Sequence, residues 1–404
     1  MAKYFYTAKS FSGEVRSGFL EAKDETELAR ALRQDGYVLV SSEGKTDAGK
    51  SSKINISFSN KVSLSEKLMF TKNLQIMIKA GISLPRSLRI SAAQARGNRF
   101  KTVLTSMADN IDKGQAFSET ISKYPDVFSD VFASMVRVGE ESGTLEDVLK
   151  TLYNQLEREH GLKSKIMGAM IYPVVILVAM IGVGILMMIM VIPQLASTFE
   201  ELGAKLPATT LFVFGLAKFM EKNVILFLVC LAVFVISVIR FTKTKIGKRA
   251  IDTISLKIPL ISPIVKKTNS AYTTRTLSSL INAGVPIVSA LGIVSGALGN
   301  SYYKTAMNEA AERVSKGTKL SEAMIPYQDI YPPMVVQMIE VGEETGQTAE
   351  ILLNLADFYE EEVTEATKNL SSVVEPILML IIGSIVGFFA ISMIQPMYSI
   401  LETI

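Results

Sequence analysis

YPDVFSDVFASMVRVGEESG, Tyr124 to Gly143, returns as YQDIYPPMVVQMIEVGEETG, Tyr327 to Gly346, at an offset of 203 residues. The same offset lays KAGISLP (Lys79 to Pro85) on NAGVPIV (Asn282 to Val288) and DKGQAFSE (Asp112 to Glu119) on SKGTKLSE (Ser315 to Glu322). It also carries Pro173 onto Pro376 and Pro193 onto Pro396. A register held over so many positions is an internal duplication.

Inside one copy the pattern is helical. Ser63-x-x-Glu66 is a capping box that opens an apolar-periodic run ending at Gly81, and Thr144-x-x-Asp147 opens another that continues without a breaker. Gln347 replaces Thr144 in the second copy, which predicts a weaker cap there. Gly97, Gly114, Gly143 and Pro125 punctuate the rest into about six helices.

Each copy runs on into an apolar stretch. Ile166 to Thr198 contains no charged residue, and neither does Pro376 to Leu401. Both exceed the roughly 20 residues that a membrane helix needs. Between them VILFLVCLAVFVISVI, Val224 to Ile239, has 13 residues that are Leu, Ile, Val or Phe. Those side chains favour insertion by about 4 to 8 kcal/mol at most. Two copies of one fold belong on one side of a membrane, so an even number of crossings must separate them. The short segment is therefore expected to span, making a parallel repeat with one helix inserted.

Lys and Arg near the span ends set the orientation. Arg158, Lys163 and Lys165 precede the first span, and Arg240, Lys243, Lys245, Lys248 and Arg249 follow the second without an acid among them. The loop between those spans is balanced in charge. DFYEEEVTEATKN, ahead of the third span, is acidic and points the other way, but the repeat outweighs it. Both helical units are thus expected in the cytoplasm and the C-terminus outside. MAKYFYTAKSFSGEV lacks the charged start and apolar core of an export signal, which keeps the N-terminus cytoplasmic.

Ahead of the first copy, KYFYTAKS, GEVRSGFLEA and YVLVS read as strands, and Asp24-x-x-Glu27 caps a helix ending at Gly36. The expected class is mainly α: a polytopic membrane protein with two duplicated cytoplasmic helical bundles, three transmembrane helices and a small N-terminal α/β module. The expected layout is the module at 1–42, a flexible linker at 43–62, the first bundle at 63–165, and spans at 166–192, 223–240 and 374–398. The second bundle occupies 241–368, with periplasmic segments at 193–222 and 399–404.

Several chemistries have no residues to use. One cysteine, Cys230, and one histidine, His160, exclude a disulfide, a Cys-based zinc site and His-dependent triads within one chain. A buried thiol is expected for Cys230 and a solvated helix position for His160. The net charge of +3 gives no reason to expect nucleic acid. GKTDAGKS, Gly44 to Ser51, matches the phosphate-loop pattern, which requires a strand before it and a helix after it. SKINISFSN, which follows, is poor in helix formers, so the match is expected to be accidental. No catalytic residue, metal or cofactor is expected.

The candidate positions are therefore the recurring ones. Gly139 and Gly143, with Gly342 and Gly346, are expected to break one helix and start the next. Glu140, Glu141, Glu343 and Glu344 either favour the following helix start or form two acidic corners that dock a basic partner. Pro173 and Pro376 would kink helices where they enter the bilayer. Gly383 and Gly387 form a G-x-x-x-G face.

Paired units with an A-G turn at Gly81 and Gly284, V-G-E-x-[ST]-G, Y-P or E-P at the membrane, a late proline and a short α/β module resemble the inner-membrane platform proteins of type IV pilus assembly and type II secretion, the PilC/GspF family. The resemblance covers nearly the whole chain. It implies a non-enzymatic inner-membrane platform bound to a separate hexameric assembly ATPase, with a retraction ATPase as a further candidate. It also implies contact with pilin or pseudopilin subunits and inner-membrane alignment proteins, and self-association as a dimer. The competing readings are a transporter or channel subunit, disfavoured by spans almost free of polar residues, and a membrane ATPase using Lys50.

Overall fold

The computed structural model of the chain describes residues 2–10, 15–22, 25–45, 61–201 and 208–401. They fall into two compact units, Met1–Ser59 and Asn60–Ile404.

In the first unit, strands β1 (Ala2–Ser10), β2 (Val15–Ala22) and β3 (Tyr37–Lys45) form an antiparallel sheet in the order β2-β1-β3. Helix α1 (Glu25–Gln34) lies between β2 and β3 in the chain and stops ahead of Gly36, which takes φ +80°. Tyr6 and Ala8, two residues apart on β1, point to the same face and close on Leu28 and Leu32 of α1. This is the α/β module expected, but β3 continues through Lys45, three residues into the expected linker. Gly44 pairs with Tyr4 and Lys45 with Lys3, so the first two residues of the phosphate-loop match are ladder residues of a strand. The rest of that match, 46–51, lies outside the described residues, as does Asp24.

The second unit is helical. The first repeat comprises α2 (Leu64–Lys79), α3 (Leu84–Gln94), α4 (Asn98–Asp112), α5 (Phe117–Ser122), α6 (Asp130–Ser142) and α7 (Leu145–Leu186). A π-helical turn, Met187–Val191, leads into α8 (Ile192–Glu201), followed by α9 (Ala208–Lys222), α10 (Val224–Thr242) and α11 (Lys245–Lys257). The second repeat comprises α12 (Ser262–Asn282), α13 (Ile287–Ala297), α14 (Ser301–Ser315), α15 (Leu320–Met324), α16 (Pro333–Thr345) and α17 (Thr348–Leu401). From α3 onward every helix of the first repeat starts 203 residues before its counterpart. The two repeats contribute to one hydrophobic core, from Phe70 in α2 to Tyr359 in α17.

Local chemistry fixes the boundaries. Ser63 Oγ accepts from Glu66 N at 3.1 Å, and Glu66 Oε2 accepts from Ser63 N at 3.3 Å, the capping box read from the sequence. Glu66 Oε1 also accepts from Gly97 N at 3.2 Å, tying the start of α2 to the start of α4. Thr144 does not cap as expected: its hydroxyl turns to Ser142 Oγ at 2.7 Å. Its φ of −104° and ψ of 32° leave the extended region that a capping side chain needs. Helix α7 starts through its backbone instead, Val148 N donating to Thr144 O at 3.1 Å, and Ile351 N does the same to Gln347 O. The weaker cap expected at Gln347 has no counterpart here, because neither start relies on a side chain seen to cap it.

Two helical stretches, Leu145–Phe199 and Thr348–Ser392, are long and apolar enough to cross a membrane, and their apolar side chains face outward. Three spans are expected from the sequence; among the described residues only these two qualify. The remaining segment is helical as α10, but its 19 residues rise about 28 Å, just short of the roughly 30 Å bilayer core, and carry Arg240 in the last turn. Cys230 on α10 is exposed rather than buried, because the apolar surface of this helix faces outward. The expected periplasmic loop at 193–222 is largely helical: α8 and α9 pack through Phe199, Val213, Phe214 and Ala217 against Phe389 of α17. Thr210 Oγ1 donates to Ser392 O at 2.7 Å in the same place. Apolar residues at helical spacing in α9 drive that packing.

Candidate functional site

Three glycine corners recur in each repeat with matched backbone. Gly81 and Gly284 take φ +75° and +88°, Gly114 and Gly317 +87° and +92°, and Gly143 and Gly346 both +73°. At Gly81 the next residue closes the helix end, Ile82 N donating to Met77 O at 3.0 Å, and Val285 N donates to Leu280 O at 2.9 Å after Gly284.

Gly139 and Gly342 do something else. They lie inside α6 and α16, not at a break, and both are buried. A Cβ on Gly139 would sit 2.9 Å from Val148 Cγ2 and 3.2 Å from Leu145 Cα, and one on Gly342 would sit 2.9 Å from Thr348 Cα. These glycines let each sixth helix cross tightly over the fifth. The break expected at 139 and 342 is supplied by Gly143 and Gly346 alone, because helical backbone tolerates glycine wherever packing requires one.

The glutamates divide by one position. Glu140 Oε1 accepts from Phe117 N at 2.6 Å, while Oε2 accepts from Ser118 N at 3.0 Å and Ser118 Oγ at 2.7 Å. Glu343 repeats the set with Leu320 N at 2.5 Å, Ser321 N at 3.0 Å and Ser321 Oγ at 2.6 Å. Each half-buried carboxylate therefore caps the start of α5 or α15 from a distance, not the helix that follows it. Burial pushes the Glu140 carboxyl up, but the bonds from Ser118 N, Phe117 N and Ser118 Oγ more than offset this and hold it below its ordinary value. Glu141 and Glu344 are exposed. Of the four acids, only these two face solvent freely.

Pro173 lies inside α7 and Pro376 inside α17, and both helices continue past them. The π-helical turn precedes Pro193, where the missing N–H and the ring break the regular ladder. A Cβ on Gly383 or Gly387 would meet no atom of another element within 4 Å, so the expected packing face is unused among the described residues. Helices α7 and α17 pack through other residues: Ala179, Val183 and Met187 line one apolar groove with Ile382, Val386 and Ala390, each pair related by the offset.

One cluster escaped the sequence reading. Arg275 on α12, with its side chain 11% exposed, binds Glu360 at 2.8 Å and Asp357 at 2.5 Å on α17, and Arg158 on α7 approaches Glu360 at 3.7 Å. This network joins the last helix of the first repeat to two helices of the second. The available signal was Arg275 itself, the one charge between Lys267 and Glu309 apart from Lys304. Among the described residues no group of three or more His, Cys, Asp or Glu is placed to hold a metal ion.

The family model described as type II secretion system protein F matches twice, over residues 70–193 and 273–396, the same offset of 203. Its N-terminal domain model matches residues 1–42. The chain belongs to this family. Both matched copies close on the prolines, Pro193 and Pro396, and each contains its V-G-E-x-[ST]-G corner. Among relatives, a type IV pilus assembly protein PilC from Thermus thermophilus is 33% identical over 100% of this chain and 99% of its own length. A protein of the same name from Myxococcus xanthus is 30% identical over 99% and 95%. A type II secretion system protein F from Vibrio cholerae is 29% identical over 98% of both chains.

Proposed function

We propose that this chain is the inner-membrane platform of a type IV pilus or type II secretion machine. It carries the work of a cytoplasmic assembly ATPase to pilin or pseudopilin subunits entering a filament. Full-length similarity to proteins named for those two machines supports the class. The observation that carries the mechanism is the continuity of α7 and α17: each leaves the shared helical core and runs on as an apolar helix. A push on the core therefore reaches the apolar helices without an intervening joint. Chemistry is left to the partner, and the platform itself is not an enzyme.

Both repeats share one core and so lie on one side of the bilayer, which requires a return between α7 and α12. The return falls to α10, with Phe219 to Asn223 extending its reach, giving spans near 166–192, 223–240 and 374–398. The N-terminus is cytoplasmic and the C-terminus periplasmic. The bundles occupy 63–165 and 241–368. Glu141 and Glu344 are the acids available to a basic partner surface, whereas Glu140 and Glu343 hold the fold. Further partners are the alignment proteins and a second copy of this chain.

The test is complementation. A strain lacking the chain is rescued with Glu141→Lys plus Glu344→Lys, and binding to the assembly ATPase is measured by co-purification. Loss of co-purification with normal protein levels is expected. Undiminished binding removes the acidic corners from the ATPase interface.

A further inference from the structure

A cavity of 470 Å³ opens where α7 leaves the shared core, walled by α7, α12, α17 and the turn between α13 and α14. Its α7 wall has an order along the helix. Gln155 comes first, then Arg158 and Glu159, then Leu162 and Lys163, then Ile166, Met167 and Met170. Positions 155, 159 and 163 share one face and are spaced by about 6 Å along the axis. Charge ends at Lys165, and Ile166 to Thr198 contains no charged residue.

Two cations, Arg158 and Arg275, also line the polar end of the cavity, and both are engaged by Glu360, Arg275 by Asp357 as well. Gln155 is 8% exposed; its Nε2 donates to Thr276 Oγ1 at 3.2 Å, and its Oε1 is buried without a partner. Thr268 Oγ1, also lining the cavity, is buried without a partner. Glu159 makes no hydrogen bond or ion pair among the described residues. Burial pushes its carboxyl up, with Lys163 and Lys67 opposing from beyond pairing distance. A carboxylate without a hydrogen-bond partner and a buried amide oxygen without one are both costly unless a donor completes them.

The second repeat shows what completes such a position. Glu362, the counterpart of Glu159, binds Lys267 Nζ at 2.6 Å. The counterpart of Lys267 is Leu64; in the first repeat Lys67 and Lys163 act on Glu159 without pairing with it.

We propose that this cavity holds one phospholipid with a primary-amine headgroup, phosphatidylethanolamine. Its ammonium lies on Glu159 and the Gln155 amide oxygen, its phosphate on Lys163, and its acyl chains along Met167 and Met170. With Arg158 turned to Glu360, the unpaired groups along α7 run acceptor, cation, apolar, the complement of ammonium, phosphate, acyl chain in the lipid. The inference rests on the reading of α7 as a span beginning at Ile166, which puts Lys163 at headgroup depth. A bound lipid there would fill the gap between the repeats where α7 leaves the shared core.

The experiment uses the full chain in nanodiscs of equal parts phosphatidylethanolamine, phosphatidylcholine and phosphatidylglycerol with identical acyl chains, followed by native mass spectrometry. One phosphatidylethanolamine per chain is expected to persist after the surrounding lipid is stripped. Its preference over phosphatidylcholine, which has no N–H to donate, is expected to be about tenfold or more, the equivalent of one charge-assisted hydrogen bond. Glu159→Gln combined with Gln155→Leu should abolish the preference, while Glu362→Gln should keep it. Equal retention of the two lipids, or selective retention of phosphatidylglycerol, overturns the site even if the variants fail to fold. A chain that does not enter the discs overturns the span reading, and the lipid site with it. A chain that enters and shows no preference overturns the lipid site alone.

Discussion

Phe70, Phe100 and Phe128 pack together in the first repeat, with ring centroids 5.5 to 6.3 Å apart. At the same three positions the second repeat has Thr273, Tyr303 and Tyr331. There Thr273 Oγ1 and Tyr331 Oη hydrogen-bond at 2.9 Å, Tyr303 Oη donates to Ile330 O at 2.6 Å, and the two tyrosine rings meet edge to face. One backbone is thus filled by hydrocarbon in one copy and by a satisfied polar network in the other. The outer faces differ too. Met69 and Ile76 of α2 are 60% and 53% exposed, whereas on α12 their counterparts Tyr272 and Ser279 are half-buried and buried. Helix α12 is enclosed because it packs against both α17 and α7, and its small Ser and Thr side chains permit that close approach. Duplication preserved the glycine corners and the Glu140 and Glu343 caps, while each copy's packing followed its position in the molecule.

The largest effect is expected where both copies depend on the same carboxylate. Glu140→Lys or Glu343→Lys removes three hydrogen bonds to a helix start and puts a cation against backbone N–H groups. Bonds to a charged group contribute about 1.5 to 3 kcal/mol each, so either change should lower the unfolding midpoint sharply, as followed by circular dichroism in detergent. Equal losses in the two variants would support equivalent roles; a loss in one alone would break the comparison.

Next come the close-approach glycines. Gly342→Ala meets backbone at Thr348, and Gly139→Ala meets mainly the Val148 side chain, which can rotate. Overpacking of this kind costs about 1 to 3 kcal/mol, with the larger loss expected at Gly342. Thermal unfolding of the two variants checks the order.

Tyr331→Phe leaves the buried Thr273 hydroxyl without its partner, at a cost of about 1 to 3 kcal/mol. Phe128→Tyr should cost a similar amount in the first repeat, where Phe70 offers nothing to receive the hydroxyl. Adding Phe70→Thr should recover part of that loss if the two cores are interchangeable, which a double-mutant cycle measures.

The smallest expected effect is in acid. The Glu140 carboxyl is held below its ordinary value when folded, so its contribution is complete above the unfolded value near 4.3 and disappears as pH falls through the lower folded value. Glu140→Gln should therefore flatten stability against pH only below about pH 4.

The repeat, the glycine corners at 81, 114 and 143 and the two long apolar helices were legible because each depends on local pattern. The role of Glu140 was not, because its partners lie 22 and 23 residues upstream and reach it only through the fold. A trace was present: Ser118 and Ser321 recur at the same offset as the two glutamates. The burial of α12 ran against its composition, since Ser and Thr there signal tight packing rather than exposure. Thr144 matched a capping pattern but lacked the backbone angles, and the first two residues of the Gly44 match are strand.

The central claim is that this chain receives work and that ATP is used elsewhere. The most direct measurement is filament assembly or secretion in a strain lacking the chain, complemented by Lys50→Ala. Full restoration, together with no nucleotide binding by the purified protein, is the predicted result. Loss of assembly in Lys50→Ala, or a nucleotide affinity that this change abolishes, would contradict it.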